Sequence, residues 1–126
     1  IRRGANEEHS PGTLSLPGGK VDQLAVSPEA LEQAVRREIH EEVGITLGSL
    51  HYLESKSFVM DTGEWCVSVC FFCQDTNGDA SIKSSDEVQE IVWCKTEELV
   101  AGDSCPPWTK QSIHAAEDLR LKLENK

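Results

Sequence analysis

Apolar side chains recur every fourth residue at Leu31, Val35, Ile39 and Val43, with Ala34 at the margin of the stripe. That spacing predicts an amphipathic helix. Ser27 as N-cap, Pro28 at the first helical position and Glu29 in the first turn mark its start, and Gly44 marks its stop. Elsewhere the period shortens to two. Residues 50–59 alternate and predict a strand, and residues 65–73 are β-rich and apolar enough for a central one. Residues 88–94 predict a further strand. Residues 61–63 and 76–79 are turns, the second carrying the Asn77-Gly78 pair that favours hairpins.

The ends are built differently. Residues 1–3 have the character of a strand terminus, so the first strand is expected to be cut short at Ile1. Residues 4–13 are polar, with Pro11-Gly12 as a turn signal, and Leu14-Ser15-Leu16 alternates as a short strand. Residues 21–26 fit neither period. Residues 96–99 predict a helical turn, and Pro106-Pro107 precede a last helix over about 108–123, with Ile113, Ala116 and Leu119 on one stripe. Short strands, a helix, several strands and a helix predict an α+β or sandwich arrangement in one domain, residues 1–126.

Composition narrows the function classes. Net charge is −10, from 22 acidic and 12 basic residues, which argues against an electrostatic grip on a nucleic acid polymer. An acidic chain can still take a polyphosphate if metal ions stand between the two. No apolar run has the roughly 18 residues of a membrane span. Five cysteines, an odd number, suit reduced thiols in a cytoplasmic setting.

The chemistry gathers on the first helix. Glu38, Glu41 and Glu42 stand at i, i+3 and i+4, where helix neighbours have Cβ atoms about 5–6 Å apart. Alone, such a trio is more often a solvated acidic face. Here, however, Glu38 and Glu42 fall at the edge of the apolar stripe, with Glu41 further round, so the cluster sits beside the buried face. Paired glycines precede it in Leu16-Pro17-Gly18-Gly19-Lys20, which lets a backbone approach a ligand closely.

Together these residues closely resemble the Nudix box. Arg37-Glu38-Ile39-His40-Glu41-Glu42-Val43-Gly44-Ile45 matches the second half without a mismatch, and Glu29 stands eight residues before Arg37, as the pattern asks. One departure is plain: nine residues separate Gly19 from Glu29 where the family has five. The extra four fall before the helix, in the loop of residues 21–27, and leave the glutamate spacing intact.

The resemblance implies a mixed β-sheet sandwiched between α-helices, with the box (about 18–45) as a loop–helix–loop. It implies hydrolysis of a nucleoside diphosphate linked to another moiety. It further implies that Glu38, Glu41 and Glu42 bind Mg²⁺ or Mn²⁺, that Glu29 and Arg37 tie loop to helix, and that Gly18 and Gly19 bring main-chain groups to metal and phosphate. Gly44 closes the motif. The physical logic agrees, because metals about 3.5–4 Å apart can neutralise a pyrophosphate and position water while a carboxylate takes its proton. Glu38 and Glu41 are the candidate catalytic carboxylates within the box.

MutT-type members carry a fourth acid ahead of a tryptophan. Glu87, six residues before Trp93, fits best as ligand or base, with Glu90 as the other candidate; either could equally be an exposed acid on an edge strand. Arg2 and Arg3, near where such relatives reach the nucleotide, and Lys20, after the glycines, are substrate-binding candidates. Their competing role is a solvated strand end or loop. Cys70 and Cys73 do not suggest zinc, since an offset of three on a strand sends the sulfurs to opposite faces. Histidines 9, 40, 51 and 114 are scattered, with His40 expected on the surface. Phe58, Trp65 and Phe72 are core aromatics or base-stacking residues.

Markers for other subclasses are missing: Met60 and Asp61 stand where ADP-ribose hydrolases carry proline, and Thr62 and Gly63 where dinucleoside polyphosphate enzymes carry tyrosine. No coenzyme A or NADH signature is evident. A MutT-like nucleoside triphosphate diphosphatase follows by elimination, acting on a small nucleotide as a monomer or homodimer. The alternatives are a non-catalytic nucleotide-binding module, a hydrolase of ADP-ribose or another nucleotide sugar, and an unrelated acidic Ca²⁺-binding or scaffold domain.

Overall fold

The computed structural model describes residues 1–4, 12–19 and 28–125. Lys20, Ser27, the ambiguous stretch 21–26 and the extra residues before the helix lie outside them. Elements follow in the order β1 (Arg2–Arg3), α1 (Ala30–Val43), β2 (Thr46–Leu47), β3 (His51–Val59), β4 (Trp65–Phe72), β5 (Thr76–Asn77), β6 (Val88–Glu90), α2 (Thr96–Ala101) and α3 (Pro107–Glu124). The α+β class is as expected. The described ladders are three antiparallel pairs, β1 with β6, β2 with β5, and β3 with β4.

Helix α1 starts two residues later than Pro28. Glu29 is the N-cap, outside helical geometry at φ −113° and ψ 28°, and its carbonyl accepts the first intrahelical bond, from Gln33 (2.9 Å). Gly44 ends the helix at φ 75°, in the left-handed region where glycine has no Cβ penalty. Ala34, Ile39 and Val43 are buried, while Leu31, at the exposed first turn, is not. Ile39, Val43 and Ile45 form the core cluster, joined by Ile1, Val35, Leu47, Ala80 and Ile91.

The second half departs from expectation in four places. Residues 76–79 do not close a hairpin: Thr46 pairs with Asn77 and Leu47 with Thr76, so that segment returns to the end of α1. Strand β4 has β3 as its one described neighbour, and Trp65 and Val67 are exposed, so it is not central among the described residues. Strand β6 stops at Glu90, leaving Trp93 exposed beyond it. In α3 the buried positions are Thr109 and Ser112, not the stripe of Ile113, Ala116 and Leu119. These polar side chains are satisfied where the helix meets its neighbours. Thr109 donates to the carbonyl of Leu14 (3.3 Å), and Ser112 donates to Glu54 while Lys56 donates to the Trp108 carbonyl (3.0 Å). No described helix is long and apolar enough to cross a membrane.

Candidate functional site

Glu38 and Glu42 lie one turn apart on α1, at the shoulder of Ile39 and Val43. Glu42 is 4% exposed, an unusual depth for a carboxylate. One of its oxygens accepts the N–H of Gly18 at 3.1 Å, which ties the glycine loop to the helix. Next to that amide, a Cβ on Gly19 would fall 2.5 Å from Glu38 Oε2, so any other residue there would displace the Glu38 carboxylate. Glu41 points outward, its side chain 61% exposed and 4.0 Å from Arg37, which also stands 3.5 Å from Glu38. Both described ion pairs of Arg37 are thus with its own helix.

Glu87 comes from the other half of the chain. The carbonyl of Ser84 accepts the amides of Glu87 (3.2 Å) and Val88 (2.9 Å), and the Glu87 carbonyl accepts Gly4 N–H (3.0 Å). Among the described residues Val88 is the most deeply buried large side chain, 1% exposed, and anchors the turn that presents its neighbour. The Glu87 carboxylate lies within charge and hydrogen-bonding reach of Glu42 and within charge reach of Glu38. Glu90 is placed differently: it pairs with Arg2 across β1 and β6 at 3.5 Å and is largely exposed. The structure therefore brings Glu87, and not Glu90, to the helix.

The electrostatics follow from this crowding. Burial pushes the Glu42 carboxyl up to about 7; the Gly18 amide opposes the rise, and the charges of Glu87 and Glu38 add to it. Burial also raises Glu38, helped by Glu41 and Glu87 and opposed by Arg37. Among the described residues, no three His, Cys, Asp or Glu side chains close around a point as a finished metal cage. The donor chemistry nevertheless fits a hard divalent cation, which takes carboxylate oxygens and would relieve the repulsion that adds to the effect of burial on Glu38 and Glu42.

The remaining candidates are scattered. Arg3 is half-buried in β1, its main chain bonded to Thr13 and Gly12. Lys20 is outside the described residues. His40 is exposed, as expected. All five cysteines are free thiols, and Cys70 and Cys73 form no metal cluster. No motif marks Ser81 and Lys83, yet their amides bond the carbonyls of Val43 (2.9 Å) and Glu42 (2.8 Å). The one available signal was that a helix end leaves carbonyls needing partners.

An α+β fold that sets glycine amides over helix glutamates, with a further glutamate delivered from a distant turn, defines a class of loop–helix carboxylate proteins. Within that class the chain belongs to the Nudix family, whose NUDIX domain model matches residues 1–117. Nucleoside triphosphatase NudI of Escherichia coli is 31% identical over 103 residues, spanning 74% of this chain and 69% of that protein. Among solved structures, a MutT NUDIX hydrolase from Burkholderia pseudomallei superposes with a TM-score of 0.76 at 27% identity, covering 91% of this chain and 84% of that one. A MutT protein from Methanosarcina mazei gives 0.73 at 27% identity, covering 100% and 83%.

Proposed function

We propose that this chain is a Mg²⁺-dependent Nudix pyrophosphohydrolase that cleaves a nucleoside triphosphate to a monophosphate and pyrophosphate. The observation that carries the reading is Glu42: a buried carboxylate beneath the Gly18 amide, facing Glu38 and Glu87. Such a charge cluster is costly to bury without a cation. The names of the relatives, a nucleoside triphosphatase and two MutT proteins, favour the triphosphate substrate.

Glu38, Glu41, Glu42 and Glu87 would hold Mg²⁺ or Mn²⁺. When bound, the metal supplies charge neutralisation for the phosphates and acidifies water. The chain's own groups do the rest. Gly18 and Gly19 keep the loop tight enough to offer main-chain donors to a phosphate. Arg37 restrains Glu38 and Glu41, while Glu29 and Gly44 fix the two ends of the helix. Arg3 and Lys20 supply positive charge to the nucleotide. As water's oxygen bonds to phosphorus and the bond to the leaving phosphate breaks, Glu87 accepts the water's proton; Glu38 and Glu41 are the other carboxylates suited to that step. The free thiols accord with a reducing compartment such as the cytoplasm.

The test is a panel of nucleoside triphosphates, ADP-ribose and a dinucleoside polyphosphate with Mg²⁺, with products identified by ³¹P NMR. Monophosphate plus pyrophosphate is expected, with turnover falling about a hundredfold in Glu87→Gln. Saturable binding without turnover would make the chain a binding module, and preferential cleavage of ADP-ribose would move it to the nucleotide-sugar hydrolases.

A further inference from the structure

The carboxylates that meet in the site arrive on two segments far apart in sequence, and something must set the distance between them. The main chain of Lys83 ties the two segments together. Its amide bonds the carbonyl of Glu42 at 2.8 Å, two residues after Ser81 bonds the carbonyl of Val43 at 2.9 Å. Four residues later the chain reaches Glu87, whose carboxylate lies within charge and hydrogen-bonding reach of that of Glu42. Between them the Ser84 carbonyl accepts the amides of both Glu87 and Val88, folding the connection into a turn of set length. A closed circuit results: from the Glu42 carbonyl to Lys83, round the Ser84 turn to Glu87, and back through the side chains to Glu42. The Gly18 amide holds the Glu42 carboxylate from the other side. The aliphatic chain of Lys83 lies over Gly44, where an added Cβ would stand 2.9 Å from its Cε.

We propose that Lys83, by its main-chain bond to Glu42 and together with the Ser84 turn, is a positioning residue that gauges Glu87 against Glu38 and Glu42. None of residues 81–86 belongs to the helix motif, and none needs to touch substrate. The inference rests on the reading of Glu87 as a site carboxylate. It makes the length of residues 83–87 matter more than their side chains.

One glycine inserted between Ser85 and Asp86 lengthens the circuit. One inserted between Gly78 and Asp79 lengthens the same connection outside it. Each variant, with Ser85→Gly as a same-length control, is measured for binding of Mn²⁺ alone by electron paramagnetic resonance, for kcat and KM with Mg²⁺, and for Tm. The inner insertion is expected to weaken Mn²⁺ binding as much as Glu87→Gln does, with no further loss when the two are combined. It should lower kcat by about tenfold or more, with KM within about twofold, because a small misplacement is expensive at a reacting centre. The outer insertion and Ser85→Gly should match the parent chain. Equal effects of the inner and outer insertions, or full additivity with Glu87→Gln, overturn the gauge. If Glu87→Gln itself leaves Mn²⁺ binding and turnover unchanged, the reading of Glu87 fails; if only the inner insertion is silent, the gauge alone fails. Should the inner insertion not fold, amide hydrogen exchange on the unaltered chain decides. Mg²⁺ alone should slow the Lys83 and Glu87 amides together, and slowing at Glu87 without Lys83 overturns the proposal.

Discussion

Glu42 concentrates the chemistry of the site in one side chain. Its pKa of about 7 stands above the 4.5 of an exposed glutamate, so between those values the folded chain holds a proton that the unfolded chain has lost. Stability from that proton is complete below the window and disappears as pH rises through 7. The metal-free protein should therefore melt a few degrees lower at pH 8 than at pH 5.5 on account of this group. Glu42→Gln keeps an acceptor for the Gly18 amide and carries no charge. It should flatten that dependence, raising the pH 8 Tm while abolishing Mg²⁺-dependent turnover. A melting series over pH for both proteins checks the sign, and a variant that keeps the full slope would assign it elsewhere. Gly19→Ala tests the same pocket from the loop. The group it meets is the far end of the flexible Glu38 side chain, so the fold should survive with little change in Tm. The displaced carboxylate should nevertheless cost about tenfold in kcat.

At the scale of elements, α1 is where local signals and tertiary needs agree. The four-residue apolar period and the glycine stop were legible because an amphipathic helix buries one stripe whatever surrounds it. Gly44 carries that stop at φ 75°. Gly44→Ala should destabilise the chain by about 1–2 kcal/mol from backbone strain. Adding Lys83→Ala removes the contact with Cε but not the strain, so denaturant midpoints of the single and double variants should differ only slightly. The places where expectation failed are those where a distant partner decides. Pro28 fits a helix start, yet Glu29 departs from helical geometry and the helix opens at Ala30. Asn77-Gly78 is a strong hairpin signal, but Thr76 and Asn77 pair with β2, and that choice depends on residues some thirty positions earlier. Thr109 and Ser112 outrank the apolar stripe of α3 because Leu14, Glu54 and Lys56 supply them with hydrogen bonds. In the site, Glu38, Glu41 and Glu42 could be picked out by spacing. The approach of Glu87 to Glu42 depends on Ser84 and on Lys83's bond to the helix end, which no local pattern announces.

The whole molecule carries a charge of −10 and buries part of it around Glu42. Self-repulsion on that scale opposes compaction, and the site is where it is least screened by water. A cation that binds the folded chain and not the unfolded one adds stability according to its saturation, about 2.7 kcal/mol at a hundred times its dissociation constant. Sodium chloride at equal ionic strength screens surface repulsion everywhere but has no such site to fill. Mg²⁺ should therefore raise Tm by several degrees beyond the rise given by matched sodium chloride, and the excess should shrink as pH falls below 7, where Glu42 takes up a proton that a metal must displace. In Glu38→Gln or Glu42→Gln the Mg²⁺ and sodium chloride curves should coincide. Curves that coincide in the unaltered chain would mean that its acidity acts only as diffuse surface charge. A Mg²⁺ excess that survives both substitutions would place the cation away from α1.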